Sequence, residues 1–151
     1  DVEFQLLGFI NIPNPDAIPG YIITKWVEEG IITYLGSSDN VKEIIEQSDC
    51  VVLPSYYREG VPRSLLEAAS LEKPIITTDT IGCREAVKDG VTGFLCRPRN
   101  VDELVSMMKK MLGLPYNERV EMGKRGREKM KREFNEDIVI NRYLEKIKEL
   151  L

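Results

Sequence analysis

Glu59 and Glu67 flank the segment Gly60-Val61-Pro62-Arg63-Ser64, and these are the residues whose types and spacing could do chemistry. A helix opening at about Pro62-Arg63 leaves its first backbone N–H groups without intrahelical partners, and Pro62 has no N–H to leave. The helix dipole adds about half a positive charge at that end. Gly60 lets a ligand come close to the main chain, and Arg63 and Ser64 bring side-chain donors. Such a start suits a diphosphate. Glu67, one turn or so inside, can accept two hydrogen bonds from vicinal hydroxyls such as those of a ribose. Glu59, ahead of the helix, can accept hydrogen bonds from sugar hydroxyls.

On spacing alone a plainer reading stands beside this one, in which Glu59 is a solvated loop charge and Glu67 an ordinary exposed helical residue. A glycosidase pair is disfavoured. Eight positions along a helix rise about 12 Å, whereas the carboxylates of such pairs lie roughly 5–9.5 Å apart. The chain has no histidine, which removes serine-histidine and cysteine-histidine catalysis. Cys50, Cys83 and Cys96 form no C-x-x-C pair, so a zinc site or disulfide framework is not expected, and they read as small thiols in a reducing compartment.

These residues need a strand and a helix to hold them. Cys50-Val51-Val52-Leu53-Pro54 reads as a buried strand running into the loop, and a helix follows from 62–63 to about 71. Further strands are read at 2–10, 31–35, 75–78 and 93–96, with helices at about 16–29, 40–48 and 85–87. Ser38 or Asp39 can cap the second helix, and Ile22, Ile23, Trp26 and Val27 share one face of the first. From Val101 the chain turns helical, broken at Leu114-Pro115. It continues through a charged helix at 117–133 and a last one from Glu136, capped by Asn135, with Ile140, Tyr143, Leu144, Ile147 and Leu151 in a stripe. Met107 and Met108 read as core edge rather than a cofactor box. Short apolar strands separated by helices predict a doubly wound parallel sheet, Rossmann-like, covered on both faces.

Composition sets the class. A chain of 151 residues, 42% hydrophobic and 30% charged, reads as one globular domain. A net charge of −4 gives no global field for a phosphate backbone, so nucleic acid is not an expected partner. No apolar run approaches the roughly 20 residues that span a bilayer. A chain that opens directly on a strand at Asp1-Val2-Glu3, with no visible leader, reads as a piece of a longer protein.

The order of motifs narrows this. The run PSYYREGVPRSLLEAASLEKPIITTDTIGCREAVKDGVTGFLCRPRNVDEL resembles the C-terminal half of family 4 retaining glycosyltransferases, which have the GT-B fold. It matches that family's Glu-any seven-Glu motif at Glu59 and Glu67, its Lys-Pro segment at Lys73-Pro74, its Gly-x-x-Glu turn at Gly82 and Glu85, and its Asp-Gly-x-x-Gly hairpin at Asp89, Gly90 and Gly93. The resemblance covers about residues 30–115 strongly, and it turns the balance against the plainer reading of the two glutamates.

The resemblance implies a donor-binding half (residues 1–151, of which 101–151 is a helical extension) of an enzyme of polysaccharide or glycoconjugate assembly. That enzyme transfers a hexose or N-acetylhexosamine from a nucleotide diphosphate sugar, a UDP-sugar by expectation, to a saccharide or lipid-linked acceptor. Glu67 would hold the ribose, and Glu59, the catalytic candidate, would contact the donor hexose near its reacting face. Main-chain amides of Gly60, Val61, Arg63 and Ser64, with Pro62 shaping the turn, would cradle diphosphate and sugar. The loop Gly36-Ser37-Ser38 would lie against the base. Retained configuration and metal independence are implied, in keeping with the lack of an Asp-x-Asp.

Two departures qualify this. The family's Arg and Lys on the loop after the first strand, and its N-terminal acceptor domain, are not in these residues, so the piece alone is expected to be inactive. Leu71-Glu72 stands where Cys-Gly or Met-Gly is commoner. The resemblance also implies a cytoplasmic, bacterial-type protein that can work peripherally on the inner membrane face. The run from Lys124 to Arg132 could meet anionic lipid, or form a solvated face interleaved with acids. Alternatives are a non-catalytic nucleotide-binding module of the same fold and a GT-B nucleotide-sugar epimerase, although the acids and histidine of the latter are missing.

Overall fold

The computed structural model describes residues 2–14, 16–57 and 60–150; Glu59 lies outside them. The chain forms two compact units, residues 1–41 and 42–151.

In the first unit, β1 (Gln5–Leu6) pairs in parallel with β2 (Thr33–Tyr34). They are joined through α1 (Gly20–Glu28), which buries Ile23. The helical face read from the sequence is only partly used: Ile22 and Trp26 are half-buried and Val27 is exposed. Both strands are shorter than the sequence suggests. The β-rich run 31–35 is paired only where Phe4, Leu6 and Gly8 supply hydrogen bonds, through Thr33 N to Phe4 O, Leu35 N to Leu6 O and Gly8 N to Gly36 O.

The second unit carries most of the structure. α2 (Val41–Gln47) leads to β3 (Val51–Leu53), α3 (Arg63–Ser70), β4 (Ile75–Thr78), α4 (Cys83–Ala86) and β5 (Gly93–Cys96). The three strands form one parallel sheet in the order β3-β4-β5, with Val51 beside Ile75 and Ile75 beside Gly93. Parallel strands need crossover connections, and α3 and α4 supply them. The described strands thus form parallel sheets flanked by helices, as the sequence leads one to expect. α4 begins two residues earlier than the sequence indicates, because Gly82 (φ 86°) turns the chain directly into it.

The sheet is covered on both faces, as a parallel sheet must be. Ile76 and Phe94 pack with Met111 and Met122, and Cys50, Leu104, Met107, Met108 and Leu114 lie against that cluster. These contacts seat α5 (Val101–Gly113) and the start of α6 (Tyr116–Glu133). Met107 and Met108 are therefore core edge. Side chains alternate across a strand, so Ile75 and Thr77 point the other way, towards the side where α3 buries Leu65, Ala68 and Ala69. Asn100 caps α5, its Oδ1 accepting from Glu103 N at 3.0 Å. Asn135 likewise accepts from Asp137 N at 3.1 Å ahead of α7 (Glu136–Leu150).

α7 carries its apolar stripe outward. It buries no residue, and Ile140, Tyr143, Leu144 and Ile147 are all exposed. The basic run on α6 is interleaved with acids: Lys124 pairs with Glu121 at 2.7 Å, Lys131 with Glu128 at 2.6 Å, and Lys129 and Arg132 both with Glu133. No described helix is long and apolar enough to cross a membrane. The three cysteines are free thiols.

Candidate functional site

The carboxyl ends of β3, β4 and β5 all deliver loops at one edge of the sheet, the place where open α/β sheets bind ligands. The loop after Leu53 runs to α3, the one after Thr78 to α4, and the one after Cys96 to α5.

Two buried threonines fix the first of these loops. Thr77 Oγ1 donates to Leu53 O at 2.7 Å. Thr78 Oγ1 donates to Ser55 O and lies 3.2 Å from Thr80 Oγ1. Both threonines are 1% exposed or less, so these bonds are desolvated and hold the end of β3 to β4. Sequence reasoning misses this role, although a β-branched hydroxyl pair at the end of an apolar strand signals it. Arg99 was missed as well. It sits at φ 58° in the loop after β5, its guanidinium 4.4 Å from the centre of the Tyr56 ring, and Tyr56 stacks on Tyr57 at 4.5 Å.

α3 then begins at Pro62, which has no side-chain cap bond. Leu65 N and Leu66 N both find Pro62 O, at 3.0 and 3.3 Å. The N–H groups of Arg63 and Ser64 have no partner among the described residues and point outward from the helix start. With Leu65, Ala68 and Ala69 turned inward, Arg63, Ser64 and Glu67 share the outer face. Val61 is half-buried and Pro62 buried. A side chain built on Gly60 would meet nothing within 4 Å. Packing does not require a glycine there, which leaves room for close approach of a ligand to the main chain.

The sequence expected Arg63 to face phosphates and Glu67 a ribose. They pair with each other, Arg63 Nε donating to Glu67 Oε1 at 2.9 Å. The structure thus gathers Gly60, Val61, Pro62, Arg63, Ser64 and Glu67 at one helix start. Gly36 and Ser37 belong to the first unit, where Gly36 adopts φ 72° and its carbonyl accepts from Gly8 N at 2.9 Å. Ser37 is exposed.

Other motif residues are structural. Asp89 Oδ1 accepts from Leu95 N at 2.9 Å, Gly90 N donates to Gly93 O at 2.8 Å, and Gly90 takes φ 69°. These bonds close the hairpin that starts β5. Arg84 pairs with Asp79 at 3.0 Å, holding the loop after β4. Cys50 lies at the opposite end of β3, its thiol pushed up to about 12 by burial, and burial also raises the thiol of Cys96 at the end of β5.

Residues 25–129 match the model of the glycosyl transferases group 1 family, and the chain belongs to that family. It is 28% identical over 137 residues to the N,N'-diacetylbacillosaminyl-diphospho-undecaprenol alpha-1,3-N-acetylgalactosaminyltransferase of Campylobacter jejuni, covering 91% of this chain and 36% of that one. It is 31% identical over 145 residues to the N-acetyl-alpha-D-glucosaminyl L-malate synthase of Bacillus anthracis, covering 95% and 37%. The chain therefore spans a little over a third of the length of these relatives. Among solved structures, HepE of Anabaena in complex with UDP superposes with a TM-score of 0.82 at 20% identity, covering 99% of this chain and 41% of that one. Sucrose-phosphate synthase of Thermosynechococcus elongatus gives 0.80 at 22%, covering 97% and 38%. The architecture is that of one half of a GT-B glycosyltransferase.

Proposed function

We propose that this chain is the donor-binding half of a retaining, bacterial-type glycosyltransferase. It holds a nucleotide diphosphate sugar while a hexose or N-acetylhexosamine passes to a saccharide or lipid-linked acceptor in glycoconjugate assembly. The observation that carries the reading is the uncapped start of α3. There, two N–H groups without partners among the described residues, an adjacent open Gly60 and an outward-facing Glu67 converge at the carboxyl edge of a parallel sheet.

Each group has a task. The amides of Arg63 and Ser64 and the helix dipole neutralise the charge that grows on the leaving diphosphate, the kind of electrostatic stabilisation that dominates such reactions. With Arg63 and Arg99 as local cations, this chemistry needs no metal ion. Glu67 turns from Arg63 to the ribose hydroxyls when the donor binds, and Arg63 is released to the phosphates. Glu59 acts at the hexose, and Gly36-Ser37 lines the base. UDP is the favoured nucleotide: the Anabaena neighbour is described in complex with UDP and with UDP-glucose, and the Campylobacter relative is named for transfer to a diphospho-undecaprenol-linked sugar.

Activity also needs an acceptor domain, which the greater length of the relatives can supply. The whole enzyme works in the cytoplasm, reaching the membrane through its acceptor rather than through the self-neutralised α6. Calorimetric titration of the parent and Glu67→Ala with UDP, GDP and ADP tests the donor site. Binding of UDP by the parent and its loss in the variant supports it. Equal binding by both leaves a nucleotide module that does not use Glu67, and no binding by the parent refutes the reading.

A further inference from the structure

α3 has eight residues, too few for a helix to hold its own geometry in water. Its position must therefore come from what grips it. Its amino end has no side-chain cap; its carboxyl end is gripped from two sides.

The last turn closes through Leu71 N to Glu67 O at 3.0 Å, Glu72 N to Ala69 O at 3.1 Å and Lys73 N to Ala68 O at 3.0 Å. Lys73 Nζ then reaches Glu46 O at the end of α2, at 2.7 Å. From the other side α6 descends onto the turn. A Cβ on Gly123 would stand 1.8 Å from Glu72 O, so only glycine permits this approach there, and a Cβ on Gly126 would make ordinary contact with Ala69 at 3.8 Å. The next residue, Arg127, donates through Nη1 to Ser70 O, and its Nε lies 3.8 Å from Glu72 Oε1. Glu72 itself takes φ 60°, the left-handed setting that glycine commonly fills after a helix. The departure from Cys-Gly or Met-Gly thus has a structural counterpart: a strained residue whose side chain faces the arginine.

We propose that Arg127 is a positioning residue for the donor-binding helix. Through Ser70 and Glu72 it fixes the far end of α3, and thereby where the near end presents Arg63, Ser64 and Glu67. A rigid two-turn helix transmits a shift at one end to the other, and a misplacement of 1 Å at a binding group is costly. The inference rests on the donor-site reading, but it has a readout of its own.

The test compares Arg127→Gln, Arg127→Lys and Glu72→Gly with the parent in the full chain. UDP affinity is read by calorimetry, and amide hydrogen exchange is followed across α3 without ligand. Arg127→Gln is expected to weaken UDP binding about tenfold, equal to about 1.4 kcal/mol, and to speed exchange as far as Leu65–Glu67. Arg127→Lys, keeping a charged donor, should recover part of the affinity. Glu72→Gly relieves the left-handed strain, so its Tm should hold or rise while UDP binding still weakens. Unchanged UDP affinity in Arg127→Gln beside a lowered Tm would overturn the proposal, leaving Arg127 a local stabiliser. If the parent binds no UDP, the donor reading fails separately, and exchange then decides: acceleration that reaches Leu65–Glu67 supports the clamp, and acceleration confined to Ser70–Lys73 overturns it.

Discussion

Arg63 and Glu67 are bound to each other, Nε to Oε1 at 2.9 Å one helical turn apart, although one is suited to phosphate and the other to sugar hydroxyls. The arginine side chain is 91% exposed and the glutamate 41%, so the pair is screened by water and holds weakly. It keeps two charged groups ordered at the helix start while leaving them easy to separate. Arg63→Ala should therefore change thermal stability little and weaken UDP binding, with a smaller dependence of affinity on ionic strength than the parent shows. Calorimetry at two salt concentrations checks this.

Gly60 offers a cleaner separation of fold from function. Since a Cβ there meets nothing within 4 Å, Gly60→Ala should leave Tm unchanged or raise it slightly by restricting the unfolded chain. If a ligand rides against this backbone, the same change should weaken UDP binding about tenfold, or about 1.4 kcal/mol. Thermal melts and titration of one preparation give both numbers.

Thr78 is the loop's buried tether. Thr78→Val keeps the shape but removes the hydroxyl that donates to Ser55 O, which should cost about 0.5–1.5 kcal/mol. Urea denaturation should show a lower midpoint with an unchanged slope.

The start of α5 should respond to acid. The hydrogen bond from Arg97 holds the Glu103 carboxyl below its usual range, and Arg97 Nε lies 2.7 Å from it. A lowered folded pKa means that the pair's contribution is present at neutral pH and fades as the pH falls through the folded Glu103 titration. Arg97→Gln should move the Glu103 midpoint back up towards that of an ordinary glutamate, as read by carboxyl-carbon NMR.

Much of this was legible in the residues. The ranges 75–78 and 93–96 were read to the residue because Pro74, Gly82, Gly93 and Pro98 punctuate short apolar runs. α3 was legible from its opening at Pro62-Arg63. Pairing across strands was not, because register depends on contacts distant in sequence. The Arg63–Glu67 pair was written in its four-residue spacing but hidden by assigning each residue to a ligand. Arg127 acts through the carbonyl of a remote segment, which no local pattern reports.

The account's central claim is that the start of α3 receives the donor diphosphate. Adding UDP to the isotope-labelled chain and following backbone amides by NMR tests it directly. The Gly60, Arg63 and Ser64 amides should shift together, with a single affinity that Glu67→Ala abolishes. Saturable shifts elsewhere with these three unmoved, or no shifts at all, would contradict it.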